Sequence, residues 1–203
     1  MNAKLVATLS LVAVIGWSAP ALAAGSKEAG QAKSATCMAC HGPDGNSPNP
    51  EWPNLAGQHA SYIEQQLRLF RAGERQNVLM SPMAMILSDE DIADLAAYFS
   101  SQTARGGEAE PSKVALGQRV YRGGNLDNGQ MACAACHGPT GRGNPLAKYP
   151  SLQGQHAVYV AAQLRAYRAG ERSTDVNQVM RNVAARLTDE EIDAVASFVQ
   201  GLR

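Results

Sequence analysis

The sequence predicts an all-α chain built from two tandem copies of one small domain. Three observations carry this expectation. A stretch of the chain repeats without a gap, apolar residues recur at helical spacing in both copies, and no run shows strict period-2 alternation with turn punctuation. A length of 203 residues suits two small domains, and 45% apolar against 18% charged residues marks a globular chain.

The first segment reads as an address. Lys4 precedes an apolar stretch, Leu5 to Trp17, followed by the small-residue ending Ala21-Leu22-Ala23. Residues 1–23 therefore read as a secretory signal peptide. The apolar stretch falls short of the roughly 18–20 residues of a membrane span, and no later stretch is long and apolar enough. Export without a transmembrane segment is expected. Basic and acidic residues balance at 18 each, so no charge excess points to nucleic acid.

Residues Trp52 to Arg75 align with Tyr149 to Arg172, with 15 identities in 24 positions. Pro53/Pro150, Leu55/Leu152, Gly57/Gly154, Gln58/Gln155, His59/His156, Tyr62/Tyr159, Leu67/Leu164, Arg68/Arg165 and the Gly-Glu-Arg triplets ending at Arg75 and Arg172 form the shared skeleton. Three extra residues before Met180 then shift the register, so that Leu87, Asp89, Glu90, Ile92 and Ala96 match Leu187, Asp189, Glu190, Ile192 and Ala196. Units of this size are too long for a solenoid repeat and imply domain duplication. The expected boundaries are 24–102 and 113–203, joined by a polar, Gly-containing linker at 103–112.

Within each copy the pattern is helical. Ile63, Leu67 and Phe70 recur at i, i+4 and i+7, as do Val160, Leu164 and Tyr167, with Gly73 and Gly170 as expected helix terminators. Ser88 and Thr188, each followed by three acids, mark further helix starts. Ile92, Leu95, Ala96 and Phe99 form the apolar face of the helix after Ser88. Aromatics make up only 5% of the chain, a thin supply of large core side chains for two small domains.

All four cysteines lie in two pentapeptides, Cys37-Met38-Ala39-Cys40-His41 and Cys133-Ala134-Ala135-Cys136-His137. C-x-x-C-H is the attachment signature of c-type haem: two thioethers form at the vinyl groups and the adjacent histidine reaches the iron. Two such motifs in register, using every cysteine, imply two covalently attached haem c groups. A zinc site would require the two cysteine pairs to converge. A thioredoxin-like pair wants a βαβ setting that is missing here.

The sixth iron ligand has competing candidates. Met80, Met83 and Met85 fall opposite Met180, Val183 and Ala185, so only Met80 is matched, and Met80 and Met180 are the favoured ligands. Met83, Met85, Met38 and Met131 read as core filler. His59 and His156, the remaining histidines, would make both sites bis-His; they also read as helix-terminus residues that bond to a haem propionate or a partner. Pro53 and Pro150 can offer a rigid carbonyl to orient each haem histidine, or simply begin a turn. The loops His41 to Gly45 and His137 to Gly141 read as turns that let backbone pass close to the haem edge.

On these motifs the whole chain after residue 23 resembles the class I cytochromes c, and in particular the dihaem cytochrome c4 family. The resemblance implies two tandem class I cytochrome c-like domains related by a pseudo-twofold, with the haems facing each other across the domain interface near their propionates. It implies a periplasmic electron carrier of a respiratory chain, receiving electrons from a quinol-oxidising complex and passing them towards a terminal oxidase. Peripheral membrane association is also implied. The alternatives are a dihaem electron-accepting subunit of a dehydrogenase, such as a sulfide-oxidising flavocytochrome, and a dihaem peroxidase. His/Met ligation leaves no open iron position, so no enzymatic activity is expected.

Overall fold

The computed structural model describes residues 25–203; the segment read as a signal peptide lies outside the described residues. Among the described residues ten α-helices fall into two sets of five that repeat one another. The first set is α1 (Lys27–Lys33), α2 (Ala35–His41), α3 (Ala60–Arg71), α4 (Met80–Met85) and α5 (Asp89–Ser100). The second is α6 (Pro111–Gly123), α7 (Ala134–His137), α8 (Ala157–Ala169), α9 (Val179–Ala184) and α10 (Asp189–Gln200). Among the described residues the only β-type pairings are the isolated bridges Asn125–Gln130 and Asn144–Tyr149.

Each domain is closed by its first and last helices crossing. α1 packs on α5 and α6 on α10, and α3 and α8 lean against the same closing helices. A glycine makes each crossing possible. A Cβ on Gly30 would lie 2.0 Å from the Asp94 carbonyl oxygen, and one on Gly117 would lie 2.3 Å from that of Ala194. The closing helices start at capping boxes, Ser88 with Asp91 and Thr188 with Glu191, which satisfy two otherwise orphaned N–H groups at each end.

The apolar faces read from the sequence are the buried ones. Ile92, Leu95, Ala96 and Phe99 are 0–1% exposed, and Ile63 and Phe70 are buried on α3. In the second domain Val120, Tyr121, Ile192, Val195, Phe198 and Val199 form the larger core. Both cores border a haem-attachment motif: Cys37 and Met38 pack on the first, Cys133 and Ala134 on the second. The methionine readings need correction, because Met85 is 66% exposed and Met131 53%. Met85 ends α4 on its exposed side, and Met131 is exposed in the stretch before Cys133.

The three extra residues of the second copy have a visible home. A 3₁₀ turn, Val176–Gln178, precedes α9, and Asn177 and Gln178 both take left-handed backbone conformations there. The longer stretch before Cys133 folds as a turn after Gly124. Asn128 donates to the Arg186 carbonyl at 2.9 Å and accepts from the Arg186 guanidinium, fastening the turn to the start of the closing helix. The linker is pinned to both domains: the Arg105 N–H donates to Asn46, the Arg105 side chain pairs with Asp44 at 2.6 Å, and the Glu110 N–H donates to Ser197. Helix α6 begins at Pro111, inside the stretch read as linker.

Candidate haem-attachment sites

Cys37, Cys40 and His41 lie on α2, where i, i+3 and i+4 positions share one face. Both cysteines and the histidine can therefore approach one planar group from the same side. α7 repeats the arrangement in shorter form, with Cys133 at its N-cap and Cys136 and His137 inside it. All four thiols are free. Burial pushes the Cys37 thiol up, and Cys133 is pushed up to about 11 by the same cause. Among the described residues no three His, Cys, Asp or Glu side chains converge on a metal-sized site, so the zinc alternative has no structural support.

The two histidines are held alike. His41 Nδ1 bonds the Pro53 carbonyl at 2.9 Å, and His137 Nδ1 bonds that of Pro150 at 3.0 Å. A carbonyl can only accept, so each Nδ1 carries the proton and each Nε2 keeps its lone pair. Among the described residues no protein group engages either Nε2. Both rings are 6% exposed, and burial holds both below the ordinary histidine range despite the proline carbonyls, which act the other way. A neutral, tautomer-locked imidazole with a free Nε2 is the form a metal takes. The residues present fit the group that the sequence implies.

The glycine loops have a more specific task than the close passage expected of them. The Gly45 carbonyl accepts from Leu55 and Ala56, and the Gly141 carbonyl from Leu152 and Gln153. Each loop thus positions the segment whose proline carbonyl orients the histidine. A side chain at Gly45 would meet Ala56 N and Phe99 at 2.9 Å, and its φ of +77° is left-handed.

Met80 and Met180 each sit at the start of the short helix before a capping box, α4 or α9, and both are half-buried. The Met80 surroundings are apolar and open: Val78 is 89% exposed, Leu79 56% and Ile86 80%. The matching residues of the second domain are Gln178, Val179 and Arg186.

His59 and His156 are turned outward from their own domains. His59 Nε2 bonds the Arg142 carbonyl at 2.7 Å and His156 Nε2 bonds the Ser47 carbonyl at 2.9 Å, each across the domain seam. They sit at the N-caps of α3 and α8 without capping through their side chains. Their partner is therefore the other domain's backbone.

Sequence reasoning gave no role to the rest of the seam. Asn54 N–H donates to Gln155 Oε1 at 2.8 Å, and Gln155 Nε2 donates back to the Asn54 carbonyl at 2.9 Å. Gln58 does the same for Ser151, with both bonds at 2.9 Å. Further along, Arg75 reaches Tyr159 and Gln163 while Arg172 reaches Tyr62 and Gln66. The repeat carried the signal, since Gln58/Gln155, Tyr62/Tyr159 and Arg75/Arg172 are identical pairs lying off the apolar stripe.

The Cytochrome c family model matches residues 27–103 and again 114–203. The chain is 47% identical to cytochrome c4 of Stutzerimonas stutzeri, over 100% of both chains. The crystal structure of reduced recombinant cytochrome c4 from Pseudomonas stutzeri superposes with a TM-score of 0.86 at 47% identity, covering 89% of this chain and 100% of that one. A protein named thiosulfate dehydrogenase electron acceptor, from Thiomonas intermedia, is 38% identical over 93% of this chain and 88% of its own.

Proposed function

The chain belongs to the cytochrome c4 family, and from that membership we propose that it carries single electrons through the periplasm, from a quinol-oxidising complex towards a terminal oxidase. As a family member it is an electron carrier rather than an enzyme, with two covalently attached haem c groups. In the first domain Cys37 and Cys40 would attach the haem, with His41 and Met80 as axial ligands; Cys133, Cys136, His137 and Met180 would do the same in the second. The bound group supplies a reversible Fe(II)/Fe(III) couple.

The chain's own residues adapt that couple to electron carriage. Pro53 and Pro150 fix the histidine tautomer and leave Nε2 as a strong donor. Met80 and Met180 would supply the second iron ligand in each domain, and oxygen and peroxide would then find no open metal. A soft thioether also favours the reduced state over a second imidazole. The matched histidine–proline bond in both domains is the observation that carries this reading. Among the described residues no helix is long and apolar enough to cross a membrane. The exposed Val78, Leu79 and Ile86 offer an uncharged docking face beside Met80.

The test is the oxidised optical spectrum of the holoprotein. A red-region methionine–iron charge-transfer band with intensity for both haems supports the ligand set, and an absent or half-strength band removes it. A second reading has its own support in the relative named as a thiosulfate dehydrogenase electron acceptor: this chain accepts electrons from a dehydrogenase partner. Stable co-purification with a dehydrogenase would select that role over the free shuttle.

A further inference from the structure

Two cations, one buried and one half-buried, meet at the domain seam without a carboxylate. Arg172 is 7% exposed and Arg75 half-buried. Their guanidiniums are close enough to share two acceptors. Gln66 Oε1 accepts from Arg75 at 2.7 Å and from Arg172 at 3.0 Å, while Gln163 Oε1 accepts from them at 2.9 and 2.8 Å. Tyr159 and Tyr62 supply the other contacts. Arg75 lies over the Phe70 ring at 4.5 Å and Arg172 over Tyr167 at 4.6 Å. No partner is a carboxylate. Among the described residues no carboxylate lies within ion-pair distance of either arginine. Arg172 Nε is buried with no hydrogen-bond partner at all.

Such an arrangement is unfavourable as it stands. Two like charges repel, burial strips each of water, and an orphaned buried donor adds its own penalty. A carboxylate would relieve all three, because it is the preferred bidentate partner of a guanidinium. The chemistry of the chain supplies carboxylates nearby, since each attached haem brings two propionates. The placement agrees. Tyr62 and Gln66 are the immediate neighbours of Ile63 and Leu67, which share a core cluster with Cys37. Tyr159 and Gln163 likewise adjoin Val160 and Leu164, which share a cluster with Cys133. Arg75 and Arg172 also lie in the segments that lead to Met80 and Met180.

We propose that Arg75 and Arg172, sharing Gln66 and Gln163 at the seam with no protein carboxylate, form a carboxylate-binding site that takes haem propionates. The inference rests on the two-haem reading above. It makes the arginines positioning residues: they hold the propionates ionised and place positive charge beside the redox couples, which favours the reduced state. The titratable groups facing them are Tyr62, Tyr159 and Tyr167, from α3 and α8, with the buried Asp175 carboxylate, paired to Arg181, acting on Tyr167.

The experiment is spectroelectrochemistry of the holoprotein over neutral and mildly acidic pH, on wild type, R172Q, R172K and R75Q, with haem content measured for each. R172Q is expected to lower at least one midpoint potential and to add a pH-dependent segment absent from wild type, as an unpaired propionate begins to titrate. R75Q, at the less buried site, is expected to act in the same direction. R172K keeps the charge and is expected to stay near wild type. The proposal is overturned if fully loaded R172Q and R75Q superimpose on wild type, or if R172K shifts as far as R172Q. It is equally overturned if inorganic phosphate at constant ionic strength moves the wild-type potentials, because the site would then hold a free anion. Loss of the methionine–iron band in wild type would strike the ligand assignment instead and leave this result readable.

Discussion

Gly117 is a point at which one added methyl group would strain the second domain. It lies on α6 at the crossing with α10, and an added Cβ would sit 2.3 Å from the Ala194 carbonyl oxygen and 2.7 Å from Phe198 Cβ. The first of these is backbone within a helix, so a rotamer change cannot relieve it. Ordinary contact needs the helices to part by about 1 Å. Val120, Tyr121, Ile192, Val195, Phe198 and Val199 all pack in the core cluster around this crossing, and the Tyr121 and Phe198 rings are 5.5 Å apart. At about 2 kcal/mol of burial for each of these side chains, their sum is about 12 kcal/mol. A gap of this width forfeits about a quarter of such contact, or ~3 kcal/mol. Alanine returns about 1 kcal/mol through its higher helix propensity. G117A should therefore destabilise the holoprotein by about 2 kcal/mol in guanidinium unfolding followed by circular dichroism. G123A is the internal control: it lies on the same helix with nothing within 4 Å of an added Cβ, so it should be neutral or slightly stabilising. Indistinguishable curves for the two variants would refute the reasoning.

Three further expectations follow from the same geometry. Q155A leaves both the N–H and the carbonyl of buried Asn54 unpartnered, and should cost about 1–3 kcal/mol of unfolding free energy by denaturant titration. M180A should halve the red-region band and let the reduced protein bind one carbon monoxide, whereas an intact band would exclude Met180 as a ligand. The third concerns acid. Lys33 holds the Asp91 and Asp94 carboxyls well below the usual range, aided by the Ser88 and Ser26 contacts, and Arg71 and Arg68 do so for Asp89. Carboxyls depressed by folding stabilise above their ordinary pKa of about 4, and that contribution is lost as pH falls through their folded values. The thermal midpoint should fall in this acid range, and K33M should flatten the fall; an unchanged acid limb would refute the assignment.

What could be read in advance was mostly local. The capping residues Ser88 and Thr188, the spacing of Ile63, Leu67 and Phe70, and the C-x-x-C-H motifs each lie within one or two helical turns, where spacing alone decides which side chains share a face. Gly73 and Gly170 are local in the same way: both end their helices in left-handed conformations, Gly73 just past the Ala72 cap of α3 and Gly170 as the cap of α8. The methionines show where that stops. Burial of a flexible side chain depends on which element lies opposite, so Met85 and Met131 could be placed in a core from type alone but are surface residues.

The seam is different in kind, because its partners lie 83 to 110 residues apart and nothing in local periodicity joins them. Yet its symmetry leaves a trace. In an isologous contact, residue x of one copy touches y of the other while y touches x, so both must be present twice. Tyr62 with Arg172 and Tyr159 with Arg75 obey this rule, as do Gln66 and Gln163. Polar identities that recur between copies, sit beside rather than within an apolar stripe, and serve no motif are therefore candidates for an internal interface. Tyr62 and Gln66 meet all three conditions one helical turn apart on α3. The outward-turned His59 and His156 meet them as well, each bonding the opposite domain's backbone.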